Sequence, residues 1–77
     1  MYVRVVTIDG KNKTVINVSK LTKISELKKE IEDEFDIKKG KQRLFFRGKQ
    51  LEDDATLFDY GINLNNVIQV NHLFFFF

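Results

Sequence analysis

The segment formed by residues 42–60 constrains the fold of this chain more than any other feature. Its first six residues alternate in the period-two manner of a β-strand, which places Leu44 and Phe46 on one face. Gly48 then supplies turn chemistry, and a very short strand is expected at residues 50–51. The segment therefore predicts a strand, a tight turn and a short return strand, in that order.

Tyr60 is expected to tie down the loop that closes this segment. A phenol ring packed on a core usually finds a hydrogen-bond partner for its hydroxyl, and the backbone near Glu52 is the partner that we predict. The predicted core residues in and after the segment are Leu44, Leu51, Leu57, Ile62, Ile68 and Val70.

The remaining residues predict a hairpin, one helix and a last strand. Residues 3–8 and 14–18 alternate on either side of a glycine turn, and residues 67–71 alternate again. Thr22 is the expected N-cap of a helix of about three turns. The apolar residues at helical spacing are Ile24, Leu27, Ile31 and Phe35. This order predicts an α+β protein with the β-grasp fold, in which one helix packs across one face of a mixed sheet of four to five strands.

Composition favours one small domain without a catalytic centre. The chain has 77 residues and no Cys, so it offers neither a disulfide nor a thiolate metal site. His72 is its single histidine, and no nucleophile with a matching base can be assembled from the remaining residues. We therefore expect no catalytic residue, no metal, no cofactor and no small-molecule ligand.

Location and assembly follow from the same residues. The first residues lack the features of a signal peptide, which favours the nucleus or the cytoplasm. Residues 73–77 are apolar but fall far short of the roughly 18 residues that span a bilayer. The net charge of +2 is too small to imply a nucleic-acid partner. We expect a monomer that does not bind membranes and whose favoured partner is a protein rather than a nucleic acid.

The chain contains four short motifs at a characteristic spacing: Thr7-x-x-Gly10, Gln42-Arg43-Leu44, Gly48-Lys49-Gln50-Leu51-Glu52-Asp53 and Thr56-Leu57-x-Asp59-Tyr60. With these motifs the chain resembles the ubiquitin family over almost its whole length. A narrower set is Leu21-Thr22-Lys23, Phe35, Gln42-Arg43-Leu44-Phe45-Phe46-Arg47-Gly48-Lys49-Gln50, Thr56-Leu57-Phe58-Asp59-Tyr60 and Leu64-Asn65. This set resembles the N-terminal ubiquitin-like domain of UHRF-type RING ubiquitin ligases. The resemblance implies a ubiquitin-like domain over residues 1–73, followed by a phenylalanine tail, residues 74–77, of unknown role.

The resemblance also implies a function. Conjugated members of the family need a flexible Gly-Gly tail, and this chain has no glycine after Gly61. We therefore expect a non-conjugated interaction domain that recruits ubiquitin-pathway proteins and is not itself an enzyme, even as part of a ligase. The alternative is a ubiquitin-like modifier whose Gly-Gly tail is lost or altered.

A candidate binding patch follows from the strand alternation. If the core residues face the helix, Ile8 and Phe45 face outward on the uncovered side of the sheet, where Arg43 and Arg47 would frame Phe45. A phenylalanine there suits the apolar groove of a partner, although a solitary exposed aromatic ring without a partner is the alternative. The resemblance implies a ubiquitin-conjugating enzyme or a ubiquitin-binding domain as that partner. The predicted patch consists of Ile8, Phe45, Arg47, Gly48, Gln69 and Asn71, and its last two members make it more polar than is usual in the family.

Charge is divided along the chain. The acidic residues Glu26, Glu30, Glu32, Asp33, Glu34 and Asp36 precede the basic residues Lys38, Lys39, Lys41, Arg43, Arg47 and Lys49. A second candidate site is therefore a basic surface that includes Lys41, Arg43 and Lys49 and would contact an acidic protein or nucleic acid. A solvated acidic helix beside a solvated basic strand is the simpler interpretation.

Overall fold

The computed structural model describes residues 1–73. Its strands are β1 (Tyr2–Thr7), β2 (Lys13–Asn17), β3 (Gln42–Phe46), β4 (Lys49–Gln50) and β5 (Val67–His72), and its helix is α1 (Ile24–Phe35). Two short 3-10 turns, Lys39–Lys41 and Phe58–Tyr60, lie in the connections. The predicted phenylalanine tail, residues 74–77, lies outside the described residues.

The five strands join in one sheet in the order β2-β1-β5-β3-β4. β1 and β5 run parallel, and the other three neighbouring pairs run antiparallel. Parallel pairing requires a long connection between the two strands, and here α1, β3 and β4 all lie between β1 and β5 in the chain. The predicted α+β architecture, a mixed sheet with one helix, is confirmed.

The apolar stripe of α1 packs on one face of this sheet. Ile24, Leu27 and Ile31 are fully buried, and Phe35 packs on the same core while remaining half-exposed. The strand residues Leu44, Phe46, Ile68 and Val70, which alternation predicted to face the core, are buried with them, and so are Val3 and Val5 of β1. Burial of each such side chain stabilises the fold by roughly 1.5–3 kcal/mol. The opposite face of the sheet is left uncovered by α1.

The start of α1 differs from the prediction. Lys23, rather than Thr22, occupies the N-cap position. The hydroxyl of Thr22 accepts a hydrogen bond from the Ser19 N–H at 2.9 Å, so it closes the preceding turn instead of capping the helix. The Lys23 N–H donates to the Glu26 carboxylate at 3.1 Å, which satisfies one amide ahead of the first helical turn. The prediction of Thr22 as N-cap is therefore wrong, because a local turn competes for its hydroxyl.

The turn after β3 also differs from the prediction. We expected Arg47 to continue the strand, but β3 ends at Phe46 and β4 begins at Lys49, one residue earlier than predicted. Arg47 has φ 52° and Gly48 has φ 80°, and positive φ at both central residues is the mark of a two-residue type I′ hairpin turn. The prediction of Arg47 as a strand residue is wrong for this reason.

Candidate protein-binding surface

The register of the strands defines the uncovered side of the sheet, which we call the outer face. Leu44 lies opposite Val70, and both are buried under α1. The neighbouring residues on each strand therefore point to the other side. The strand residues of the outer face are Tyr2, Arg4, Val6, Lys13, Val15, Asn17, Arg43, Phe45, Gln50, Val67, Gln69 and Asn71.

Phe45 lies in the middle of one row across this face. It is opposite Gln69 on β5 and opposite Gln50 on β4, and Gln69 is in turn beside Val6 on β1. Cross-strand neighbours on one face are close enough for their side chains to touch, so two glutamines flank the ring. Phe45 is accordingly half-buried rather than fully exposed. Val6 and Gln50 belong to this row, although the sequence alone did not assign them to the patch.

Ile8 lies in the next row. It follows the last residue of β1, donates its backbone N–H to the Val70 carbonyl at 3.0 Å, and has 58% of its surface exposed. The register places it beside Asn71, diagonally across β5 from Phe45. Strand spacing puts the Cα atoms of Ile8 and Phe45 about 12 Å apart. The two apolar groups are therefore separated by the polar side chains of Gln69 and Asn71.

Arg47 does not frame Phe45 as we expected. Its guanidinium carbon lies 4.9 Å from the centroid of the Phe46 ring, and Phe46 belongs to the core face. The left-handed turn at Arg47 and Gly48 redirects the chain there. Arg47 thus caps the apolar edge of the core by a cation–π contact, and a role for it in partner binding stays a prediction.

The predicted basic set does not share one face. Arg43 is exposed on the outer face, opposite Asn71. Lys49 is opposite Phe46 on the core side, and its ammonium lies 5.5 Å from the centroid of the Tyr60 ring. Lys41 ends the 3-10 turn before β3. A continuous basic stripe made by these three residues is therefore not present.

The outer face carries basic but no acidic side chains. Arg4, Lys13 and Arg43 project from it, and none of the outer-face residues defined above is acidic. The Arg4 Nε donates to the Asn65 side-chain oxygen at 2.8 Å, which fixes that guanidinium near the rim. Such a surface suits a partner that presents an apolar group flanked by carboxylate or carbonyl oxygens.

A second exposed apolar pair lies on the loops rather than on the sheet. Leu21 and Phe58 have 78% and 65% of their surfaces exposed. The Phe58 N–H donates to the Lys20 carbonyl at 2.9 Å and the Leu57 N–H donates to the Thr22 carbonyl at 3.0 Å, so backbone hydrogen bonds hold together the two loops that carry Leu21 and Phe58. The sequence showed both side chains but gave no signal that the two loops pair.

Residues 1–73 contain neither a group of metal-ligating side chains nor a helix that could span a bilayer. Within this part of the chain, no three His, Asp or Glu side chains are grouped so that they could hold a metal ion. The helical segments described here are too short or too polar to cross a bilayer.

Comparisons with known proteins relate the chain to one family. Residues 1–72 match the model of the family described as Ubiquitin family. The chain is 52% identical over 71 residues to the E3 ubiquitin-protein ligase UHRF1 of Bos taurus and 48% identical over 71 residues to the E3 ubiquitin-protein ligase UHRF2 of Homo sapiens. Each alignment covers 91% of this chain and 9% of the relative, so the chain spans about a tenth of the length of these ligases.

A shorter protein is also similar. The chain is 33% identical over 70 residues to the ubiquitin-like protein NEDD8 of Dictyostelium discoideum. That alignment covers 91% of this chain and 90% of the relative.

Proposed function

Because this chain belongs to the ubiquitin family, we propose that it is a non-conjugated interaction domain that recruits a ubiquitin-conjugating enzyme or a ubiquitin-binding domain through its outer face. The observation that carries the proposal is the row of Val6, Gln69, Phe45 and Gln50, which holds an aromatic ring on a sheet face without a covering helix. The site is a docking surface, and the domain performs no catalysis of its own.

Similarity to the two ligases supports the choice of partner. Their names describe E3 ubiquitin-protein ligases, and the match to this chain covers a small part of each. A ligase has to bring a conjugating enzyme that carries ubiquitin to its substrate. A docking domain for that enzyme is therefore a component that such a protein needs. The same reasoning favours the nucleus or the cytoplasm, where conjugating enzymes act, as the location that we propose for the domain.

The chemistry of the outer face defines what the partner presents. Phe45 would enter an apolar depression, and Arg43 and Arg4 at the rim would meet acidic or carbonyl oxygens. Gln69 and Asn71 between Phe45 and Ile8 would need hydrogen-bond partners once they are desolvated. A partner with a purely apolar groove would leave these two amides unsatisfied.

A binding titration tests the proposal. The chain is titrated with a panel of ubiquitin-conjugating enzymes and ubiquitin-binding domains while backbone amide chemical shifts are recorded. We expect shift changes on β1, β3 and β5, and we expect Phe45→Ala to weaken binding about tenfold or more, as truncation of a central aromatic anchor does.

Phe58→Ala is the matched control. It makes the same chemical change at an exposed phenylalanine on a loop outside the outer face, and we expect it to leave the affinity unchanged. Equal affinity of the Phe45→Ala and wild-type chains would refute the proposed site.

The alternative function, a modifier with a lost or altered Gly-Gly tail, rests on the similarity to NEDD8, which covers most of that protein's length. The chain is 52% identical to UHRF1 of Bos taurus but 33% identical to NEDD8, which is why the non-conjugated role is the one proposed. Purification of an epitope-tagged chain from cells under denaturing conditions, followed by mass spectrometry, separates the two functions. Isopeptide adducts on target lysines would favour the modifier.

A further inference from the structure

β2 forms an edge of the sheet. The pairs that bracket its ladder with β1 are hydrogen-bonded: the Thr7 N–H donates to the Asn12 carbonyl at 2.9 Å, and the Val18 N–H donates to the Met1 carbonyl at 2.7 Å. Hydrogen-bonded pairs alternate along an antiparallel ladder. The backbone N–H and C=O groups of Lys13, Val15 and Asn17 therefore point away from β1, and no hydrogen bond formed within residues 1–73 occupies them.

This edge has little of the usual protection against a further strand. Edge strands are normally blunted by charged side chains, especially lysine, by proline, by a bulge or by a covering element, and of these β2 has one lysine, Lys13, at its first position. β2 pairs with β1 in an unbroken register over five residues and contains no proline. Val15, at its centre, has 54% of its surface exposed. The backbone of β2 is therefore free to pair with an extended segment.

The groove beside the edge selects the kind of segment. It has a volume of about 520 Å³ and is lined by Val15, Ile16, Asn17, Glu30, Asp33 and Glu34. The ion pair seen among the described residues joins Lys28 to Asp53 and involves none of these three carboxylates. On the other side of β2, Lys13 and Arg4 project from the outer face. The helix side of the edge is thus acidic, and the outer side is basic.

We propose that β2 accepts an extended peptide with Lys or Arg at every second position, which pairs as a sixth strand. Side chains of an added strand alternate between the two sides of the sheet, so one set would lie over Glu30, Asp33 and Glu34 while the other lies beside Val15. Backbone hydrogen bonds would provide the pairing and the carboxylates the specificity.

A second copy of this chain is a poorer occupant of the edge. Two-fold pairing of β2 with β2 would bring the acidic grooves of both copies to the same seam, where like charges repel. The proposed site shares no residue with the Phe45 row, so it stands or fails independently of the proposed function.

An NMR titration of the full chain with a peptide of about nine residues, alternating lysine and valine, tests the pairing. We expect amide shift changes at Lys13, Val15 and Asn17 and along residues 30–34. Two further peptides carry N-methyl groups on either the lysine amides or the valine amides. Only one set of amides faces β2 in an added strand, so one methylated peptide should lose binding and the other should keep it. Equal behaviour of the two, or absence of binding by the parent peptide, would overturn the proposal.

Charge variants test the specificity. Glu30→Gln/Asp33→Asn should weaken binding about three- to tenfold, as expected for loss of two exposed ion pairs, and should reduce its salt dependence. The control Glu52→Gln/Asp54→Asn makes the same chemical changes at exposed carboxylates outside the groove and should leave the affinity within about twofold. Equal weakening by both variants would indicate non-specific charge attraction and overturn the site. Concentration-dependent dimerisation in sedimentation velocity, together with chemical-shift changes on β2 in the absence of peptide, would overturn the proposal, because a second copy of the chain would then occupy the edge.

Discussion

The Glu52 N–H donates a hydrogen bond to the Tyr60 hydroxyl at 2.8 Å. This contact ties the 3-10 turn that contains Tyr60 to the chain just after β4, and the Tyr60 ring packs half-buried on the core. This contact was predicted from the sequence, because the hydroxyl of a tyrosine ring packed on a core needs a hydrogen-bond partner.

We expect Tyr60→Phe to lower the free energy of unfolding by about 1 kcal/mol, the typical net contribution of one hydrogen bond. The amide of Glu52 should then exchange faster with solvent. Chemical denaturation and amide hydrogen exchange measure the two effects. Tyr2→Phe is the control, since Tyr2 is exposed on the outer face and its hydroxyl makes no hydrogen bond within residues 1–73. Equal destabilisation by both variants would contradict the assignment.

Gln42 ties the middle of α1 and the segment after α1 to the start of β3. Only 3% of its surface is exposed, and its amide nitrogen donates to the Lys28 and Ile37 carbonyls at 2.9 Å each. Gln42→Leu keeps most of the volume but removes both donors. We expect a loss of about 1 kcal/mol in the free energy of unfolding, because the buried Ile37 carbonyl loses its donor from Gln42. Removal of the Gln42 Oε1, which is buried without a hydrogen-bond partner in residues 1–73, offsets part of that loss.

The matched control for Gln42 is Gln50→Leu, at an exposed position of β4. We expect its free energy of unfolding to stay within about 0.5 kcal/mol of wild type. A similar loss in both variants would mean that the two buried hydrogen bonds of Gln42 contribute little.

Residues that obey one simple periodicity were predicted well. Leu44, Phe46, Ile68 and Val70 alternate along their strands, and the buried face is the one that alternation assigns. The stripe of α1 follows from its spacing in the same way. Such patterns are decided within a few neighbouring residues, and for this reason the core and the fold class could be predicted.

Features that depend on competition or on long-range register could not be predicted. The hydroxyl of Thr22 could cap α1 or accept a hydrogen bond within the preceding turn, and in the structure it accepts the Ser19 N–H. Arg47 looked like a strand residue because it extends the alternation, whereas the two-residue turn requires it at positive φ. The polar pair between Ile8 and Phe45 arises because β5 inserts between β1 and β3, and the sequence does not state that order.

Glycine is favoured at position 48 by the backbone conformation there, and not by a lack of room for a side chain. Its φ is 80°, and an added Cβ would meet no atom within 4 Å. We expect Gly48→Ala to lower the free energy of unfolding by about 1–2 kcal/mol, the cost of placing an L-residue in the left-handed region.

Gly40→Ala is the control for this substitution. Gly40 likewise has open space around its Cβ position but has no positive φ, so the alanine should leave stability unchanged or raise it by up to about 1 kcal/mol. Thermal and chemical unfolding of the two variants provide the comparison. Equal effects would show that the hairpin turn tolerates alanine and is not held in the left-handed conformation.

Asp9 gives the first hairpin a dependence on pH. The Thr7 hydroxyl donates to its carboxylate at 2.6 Å and the Lys11 N–H donates at 2.9 Å. These bonds, that from Thr7 above all, hold the pKa of Asp9 below its usual value. Because the folded-state pKa is the lower one, this stabilisation is fully present above the unfolded-state pKa and is lost as the pH falls through the folded-state pKa.

We expect Thr7→Val, which keeps the shape of the side chain and removes the donor, to raise the Asp9 pKa towards that of a free carboxyl group. Carbon-detected NMR titration of the Asp9 carboxyl follows the shift. In Asp9→Asn, the part of the acid-induced loss of stability that this group causes should disappear from unfolding curves recorded between neutral and acid pH. An unchanged Asp9 titration midpoint in Thr7→Val would show that the Lys11 amide alone sets the pKa.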